Sequence, residues 1–453
     1  YGDSIYVWTT VIGITITGLS VGYFIGGILI DKYKNLNQLF YVLLAASSVI
    51  LFIPAILNHL TYVFIDSDII SSVIIISISV LFPALLLLGM VPSMIIGIWS
   101  GSVETVGEKA GNVYAISTIG GITSAFFMGF YIIPGFGLTI PVISVSIILA
   151  AIPIYFLLMN RRYLSLIYVF FVVLIFIFKG IQPAPLRSGN RDEIKVHYYS
   201  EGLLGQVMVC DYVNNTARNS SENKKYVRSI YINRMAQTVI DLETRQPVTS
   251  DYIKYMNALV SIYQPGSRVL LLGLGGGNLV REFTNLGFSV DICELDKRIV
   301  YAANKYFLND IDNKRTNFII DDARHFLKTT QNKYDLVVFD VFKGESPPTH
   351  VFTKESIKEV QRMLNPKGAV IVNLIGQIEG ERGRGVRSVL KTFVKSGLET
   401  NILQVPRVDN VLISGSFEPL EFKVKANPNY LHNINGRIEH YFYDYENLKI
   451  GRA

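Results

Sequence analysis

The chain has 453 residues, enough for two or three domains, and half of them are apolar. Its formal charge of +6 is a small basic excess over that length. With no basic block, RNP-like motif or zinc-finger spacing, the sequence excludes a nucleic-acid footprint and suits an anionic membrane surface at most.

The charge is unevenly placed. Residues 1–180 hold 12 Asp, Glu, Lys and Arg side chains, six of each sign, and residues 181–453 hold the other 66. A bilayer crossing needs about 17–25 apolar residues. Six runs are long enough: 5–30, 39–57, 69–98, 112–134, 139–159 and 163–179. Residues 1–180 are therefore predicted to form a multi-pass helical membrane domain. The chain begins at Tyr1 rather than Met, which leaves room for an earlier hydrophobic helix. Pro83 and Pro92 are expected to kink or break the third run. Gly18, Gly22, Gly26 and Gly27 give the first run a stripe for close helix packing, and Gly111, Gly120, Gly121 and Gly129 are expected to do the same in the fourth. The stretch Gly26–Lys34 resembles the short cytoplasmic turn of major-facilitator transporters over about ten residues. No run carries a carboxylate, Lys or Arg in its interior, which an ion-coupled transporter usually needs. The helices read as an anchor or lipid-facing platform.

Residues 181–193 are a Pro/Gly/polar linker. Residues 194–248 alternate like antiparallel strands around a polar loop, predicting a small β-hairpin subdomain. From residue 249 the pattern becomes helix, strand, helix, strand to 453. Strands are expected at 268–274, 289–294, 316–320, 334–340 and 369–374, and helices at 251–263, 278–286, 297–307, 322–330, 353–364 and 384–396. That is an α/β, Rossmann-like doubly wound sheet. Residues 430–453 read equally as an edge strand or a packing segment. Cys210 and Cys293 each lie in apolar strand-like runs without metal spacing and read as buried free thiols.

The chemistry concentrates at the predicted strand ends. Gly273, Gly275 and Gly277 let the backbone turn and approach a ligand without Cβ collisions. Glu294 follows 17 residues after Gly277, at the tip of the next strand, where a carboxylate can accept two ribose hydroxyl protons. Asp296 reads as a helix cap. The third strand ends in Asp321-Asp322-Ala323: one acid beside a small residue can hold an exocyclic amine, and the other caps a helix. Asp340 ends the fourth strand and points into the same crevice, or caps the next helix.

This arrangement resembles the spermidine synthase (polyamine aminopropyltransferase) family over about residues 194–415, and the hydrophobic helices ahead of it resemble the family's membrane-embedded branch. The resemblance implies a nucleoside site made of Gly273–Gly277, the ribose ligand Glu294, the adenine clamp Asp322-Ala323, the catalytic Asp340 and a gate-loop Pro347, seven residues past Asp340. It also implies that Gln206 touches the nucleoside and that Tyr252 or Tyr255 binds the substrate. The implied donor is decarboxylated S-adenosylmethionine, the acceptor a small amine such as putrescine, and the products a longer amine and methylthioadenosine. No metal is implied. Family enzymes are often dimers or tetramers, so a homodimer is possible.

The sequence also departs from the family. Gly276 stands where the family keeps an Asp that holds the donor's ammonium, Lys343 where it has a second gate-loop Asp, and Ile253 or Tyr255 where it has a His. The nucleoside half of the site therefore matches and the polyamine half does not, which favours a membrane-bound or lipid-linked acceptor. Two other readings stay open: an S-adenosylmethionine-dependent methyltransferase on the same scaffold, and a non-catalytic nucleoside-binding membrane module. The chain is expected in the cell membrane. By the positive-inside rule Lys32/Lys34 and Arg161/Arg162 mark cytoplasmic loops, and a sixth crossing would then put the second domain outside. The sequons at Asn214 and Asn219 agree with that side, whereas the cytoplasmic donor places the domain inside.

Overall fold

The computed structural model describes residues 5–64, 67–100, 105–177, 194–214, 225–248, 251–311, 313–341, 349–380, 383–406, 408–420 and 442–444. The chain divides into two compact units, residues 1–187 with 201–205, and residues 188–200 with 206–453. The predicted linker, Asn219 and Pro347 lie outside the described residues.

The first unit is helical: α1 (Ile5–Tyr33), α2 (Leu36–Val63), α3 (Ile69–Trp99), α4 (Val106–Phe127), a π-helical turn (Met128–Ile132) leading into α5 (Ile133–Phe136), α6 (Thr139–Met159) and α7 (Leu166–Ile177). Among the described residues, five helical stretches are long and apolar enough to cross a membrane: Val7–Tyr33, Leu36–Thr61, Ile70–Trp99, Val106–Phe136 and Thr139–Met159. The sixth predicted run is described as the 12-residue α7.

Two expectations about these helices are corrected. The proline run is not broken: α3 continues as helix through Pro83 and Pro92. Each proline removes one N–H, and the remaining ladder of a 31-residue apolar helix carries the loss. The glycines of α1 and α4 are also not equivalent. A Cβ on Gly22 would sit 2.3 Å from the Leu86 carbonyl oxygen, and one on Gly26 2.5 Å from that of Met90, so α1 and α3 touch backbone to backbone there. On Gly111, Gly120, Gly121 and Gly129 a Cβ would meet nothing within 4 Å. No helix among the described residues packs on that stripe. One buried polar group bridges three helices: the Ser146 hydroxyl donates to the Ser47 carbonyl at 2.7 Å and lies 2.8 Å from the Tyr168 hydroxyl.

The second unit opens with an antiparallel sheet of β1 (Lys195–Gly202), β2 (Gly205–Asn214), β3 (Lys225–Ile232) and β4 (Met235–Asp241), paired in chain order. Asn233 and Arg234 both take positive φ between β3 and β4, the backbone a tight two-residue hairpin needs. Then follow α8 (Asp251–Val260), β5 (Arg268–Leu272), α9 (Asn278–Asn285), β6 (Ser289–Glu294), α10 (Lys297–Tyr306), β7 (Thr316–Ile320), α11 (Ala323–Thr329), β8 (Tyr334–Phe339), α12 (Lys354–Met363), β9 (Leu364–Ile375), α13 (Arg384–Lys395), β10 (Glu399–Gln404), β11 (Asn410–Ser416) and β12 (Phe442–Asp444).

These strands form one sheet in the order β12-β10-β11-β9-β8-β5-β6-β7. β9 through β7 are parallel, and β10, β11 and β12 are antiparallel. The central runs Val269–Leu272 and Leu336–Phe339 are fully buried, as strands covered by helices on both faces must be. Sequence reading placed the five parallel strands and did not place β10 and β11. Part of the tail, Phe442–Asp444, is an edge strand on β10. Strand order reverses between β5 and β8, and in such sheets the ligand crevice lies at the carboxyl ends beside that reversal.

Candidate active site

Four residues line up across the carboxyl ends of adjacent strands. The ladder continues past the strands themselves: the Asp340 N–H donates to Leu272 O at 2.8 Å, Gly273 N–H to Cys293 O at 2.9 Å, and Asp321 N–H to Glu294 O at 3.2 Å. Asp340, Gly273, Glu294 and Asp321 therefore stand side by side after β8, β5, β6 and β7. Close approach requires the glycine. Gly273 has φ +92°, and a Cβ on it would sit 2.3 Å from the Asp340 carbonyl oxygen. Gly275 and Gly277 also take positive φ, and Gly277 opens α9.

Glu294 is tied to the glycine loop. Its carboxylate accepts from the Leu274 N–H at 3.1 Å and the Asp296 N–H at 2.9 Å. Burial raises its pKa, and those two N–H groups pull it back down. A carboxylate has about four lone-pair sites, which leaves acceptor capacity for a ligand hydroxyl. Asp296 caps α10, accepting from the Arg298 N–H at 2.9 Å, as read from the sequence. Of the paired acids, Asp322 is the cap: it accepts from the His325 N–H at 3.0 Å at the start of α11. Asp321 accepts from the Asp322 N–H at 2.8 Å and meets His325 Nδ1 at 2.7 Å. Ala323 is buried in the first turn of α11. Leu295 and Ile320, at the ends of β6 and β7, are 50% and 58% exposed. They offer flat apolar surface beside Glu294 and Asp321, and sequence reading passed over them as ordinary strand residues.

Asp340 is held from two sides. Tyr252, on α8, donates its hydroxyl to Oδ2 at 3.2 Å, and Asn373, on β9, donates Nδ2 to Oδ1 at 2.8 Å. Burial raises the Asp340 pKa, and these two bonds act against it. Burial and the Asp340 charge push Tyr252 far above its ordinary value, so its hydroxyl keeps its proton. Tyr255, three residues on, packs on the hydrophobic core beside the buried Ile253. Gln206 lies at the start of β2, where its N–H donates to Asn233 Oδ1 at 2.9 Å, in the antiparallel sheet.

That sheet reaches the glycine loop through a residue the sequence did not mark. Thr238, on β4, is 6% exposed. Its hydroxyl accepts from the Gly276 N–H at 3.0 Å, and its Cγ2 lies 2.6 Å from where a Gly276 Cβ would stand. Cys210 and Cys293 are buried free thiols, both pushed up to about 12 by burial. Among the described residues no three His, Cys, Asp or Glu side chains group closely enough to hold a metal ion.

Residues 252–389 match the family model for the spermine/spermidine synthase domain. The chain is 34% identical over 108 residues to a polyamine aminopropyltransferase of Methanocaldococcus jannaschii, covering 23% of this chain and 37% of that one. It is 36% identical over 118 residues to spermidine synthase 2 of Arabidopsis thaliana, covering 25% and 34%. It thus spans about a third of the length of these curated relatives. A crystal structure of a probable spermidine synthase from Corynebacterium glutamicum covers 50% of this chain and 80% of its own, at 20% identity and a TM-score of 0.41. The likeness to the spermine/spermidine synthase domain therefore lies within residues 252–389, the part of the chain that carries the glycine loop, Glu294 and Asp340.

Proposed function

We propose that this chain is a membrane-anchored aminopropyltransferase. It moves the aminopropyl group of decarboxylated S-adenosylmethionine to a small amine and releases methylthioadenosine. The observation that carries the reading is the Asp340 carboxylate, half-buried at the strand reversal and held by Tyr252 and Asn373 one strand from the glycine loop.

The chemistry asks little beyond placement. The amine nitrogen attacks the carbon bonded to the sulfonium, a C–N bond forms, and the C–S pair leaves on sulfur as neutral thioether. Because the leaving group is already excellent, holding the two reactants in line supplies most of the acceleration. Asp340 takes the amine's proton, directly or through a water. Glu294 holds the ribose hydroxyls, Asp321 and the Asp322-Ala323 turn face the adenine edge, and Leu295 and Ile320 cover its face. Pro347 belongs to the gate. Tyr252, bonded to Asp340, stands on the acceptor side, and Gln206 is assigned to the donor by the family resemblance.

The five apolar helices support a cell-membrane location. With the five helices among the described residues as the crossings, and Lys32/Lys34 and Arg161/Arg162 on cytoplasmic loops, the second domain would lie in the cytoplasm, where the donor is made. One observation favours a second reading, S-adenosylmethionine-dependent methyl transfer: Thr238 fills the space beside Gly276, so no side chain there repels a donor carboxylate. Incubation of the full chain in detergent with decarboxylated S-adenosylmethionine and putrescine, followed by mass spectrometry, tests the proposal. Methylthioadenosine and an amine heavier by one aminopropyl group support it, and methylated product with S-adenosylmethionine replaces it.

A further inference from the structure

The hydrogen bonds on Asp340 continue beyond its two immediate partners. Asn410, the first residue of β11, donates Nδ2 to Asn373 Oδ1 at 3.0 Å. The Asn410 carbonyl in turn accepts from the Val405 N–H at 2.9 Å and from Gln404 Nε2 at 3.2 Å. Asn373 is 1% exposed, and β8, β9 and β11 are consecutive in the sheet.

An amide can turn either its NH2 or its oxygen to a neighbour. Facing Asp340, the NH2 stabilises the ionised carboxylate, whereas the oxygen could accept only from a protonated one. The Tyr252 hydroxyl is not committed, since it rotates to donate or accept. Asn373 is committed, because the Asn410 NH2 occupies its oxygen and a flip would set two NH2 groups face to face.

We propose that Asn410 is a positioning residue: by holding the Asn373 oxygen it locks the Asn373 NH2 toward Asp340 and keeps Asp340 a proton acceptor. The benefit to catalysis rests on the reading of Asp340 as the base. The lock itself does not. Tyr252 from α8 is the titratable group bonded to Asp340 among the described residues, and Asn373 from β9 is neutral. Burial disfavours the Asp340 anion and the Asn373 bond favours it, so loosening that bond moves the carboxyl up.

The test is pH-difference infrared spectroscopy of the full chain in detergent micelles, with the Asp340 carboxyl band assigned by its loss in Asp340→Asn. Two variants are compared with the parent. Asn410→Leu removes the donor; Asn410→Asp keeps the shape and, ionised, cannot donate. In both, the Asp340 titration is expected to rise by about one pH unit. The acid limb of kcat should move with it, while the donor Kd stays within about twofold, a split that a general loosening of the fold would not produce. An unmoved Asp340 titration in the folded Asn410→Asp protein overturns the lock. If the parent chain turns over no donor, the aminopropyltransferase reading falls, and the infrared titration still decides the lock.

Discussion

Tyr252 and Asp340 are 88 positions apart in the chain and share a 3.2 Å hydrogen bond. The bond joins the helix that precedes the glycine strand to the end of β8. In the proposed reaction it sets the tyrosine hydroxyl beside the carboxylate that would take the amine's proton.

Asp340→Asn removes the proposed base and keeps its shape. Turnover should fall by about 10²–10⁴-fold, while nucleoside affinity stays within about tenfold, as isothermal titration would show. The pH profile of the parent follows from the raised Asp340 pKa: kcat is expected to be lost as pH falls through that raised value. The stability effect has the opposite direction. A carboxyl raised by burial contributes fully at pH below its unfolded value, and that contribution is lost as pH rises through its folded value. The neutral asparagine should therefore melt higher than the parent at pH 7. A large loss of nucleoside binding would recast Asp340 as a structural cap.

Glu294→Ala should act on the other half of the site. It removes the acceptor of the Leu274 and Asp296 N–H groups as well as the proposed ribose ligand. Nucleoside affinity should drop by about 10–100-fold, the cost of a charge-assisted hydrogen bond. A single-turnover rate at saturating donor should change far less. Equal losses in both would show that Glu294 shapes the loop without binding the ligand.

Thr238 and Gly276 should behave as one unit in a double-mutant cycle. Gly276→Ala drives a methyl to 2.6 Å from Thr238 Cγ2 and 2.7 Å from its Cβ, which overpacks the loop by about 1–3 kcal/mol. Adding Thr238→Gly removes both atoms, and part of the loss should return. Additive effects would mean the two residues do not share that space.

The helices make a paired prediction. Gly22→Leu pushes a side chain into the Leu86 carbonyl and should sharply lower the melting temperature of the detergent-solubilised chain. Gly121→Ala meets open space and should change stability by no more than about 0.5 kcal/mol. The reverse ranking would contradict the contact between α1 and α3.

The parallel sheet was legible because its strands are unbroken apolar runs ending in glycine or acid, and Asp296 and Asp340 stand where those ends fall. The paired acids were only half legible. Which of Asp321 and Asp322 caps α11 depends on one N–H bond to His325 that spacing cannot decide. β10 and β11 were missed because antiparallel strands closing a parallel sheet carry no helix between them to mark the alternation. Thr238, Asn373 and Asn410 could not be read at all. Each is a neutral polar residue within a strand, and its partner stands 33 to 38 positions away. The glycines of α4 failed for the opposite reason: a stripe of small residues signals packing only if a second helix arrives.

The most direct measurement is to titrate the purified full chain with decarboxylated S-adenosylmethionine, S-adenosylmethionine and methylthioadenosine, and to identify the products with an amine present. Binding of the decarboxylated donor and methylthioadenosine in preference to S-adenosylmethionine, with one aminopropyl group gained by the amine, is the expected result. Binding of none of the three, or preference for the carboxylated donor, would contradict it.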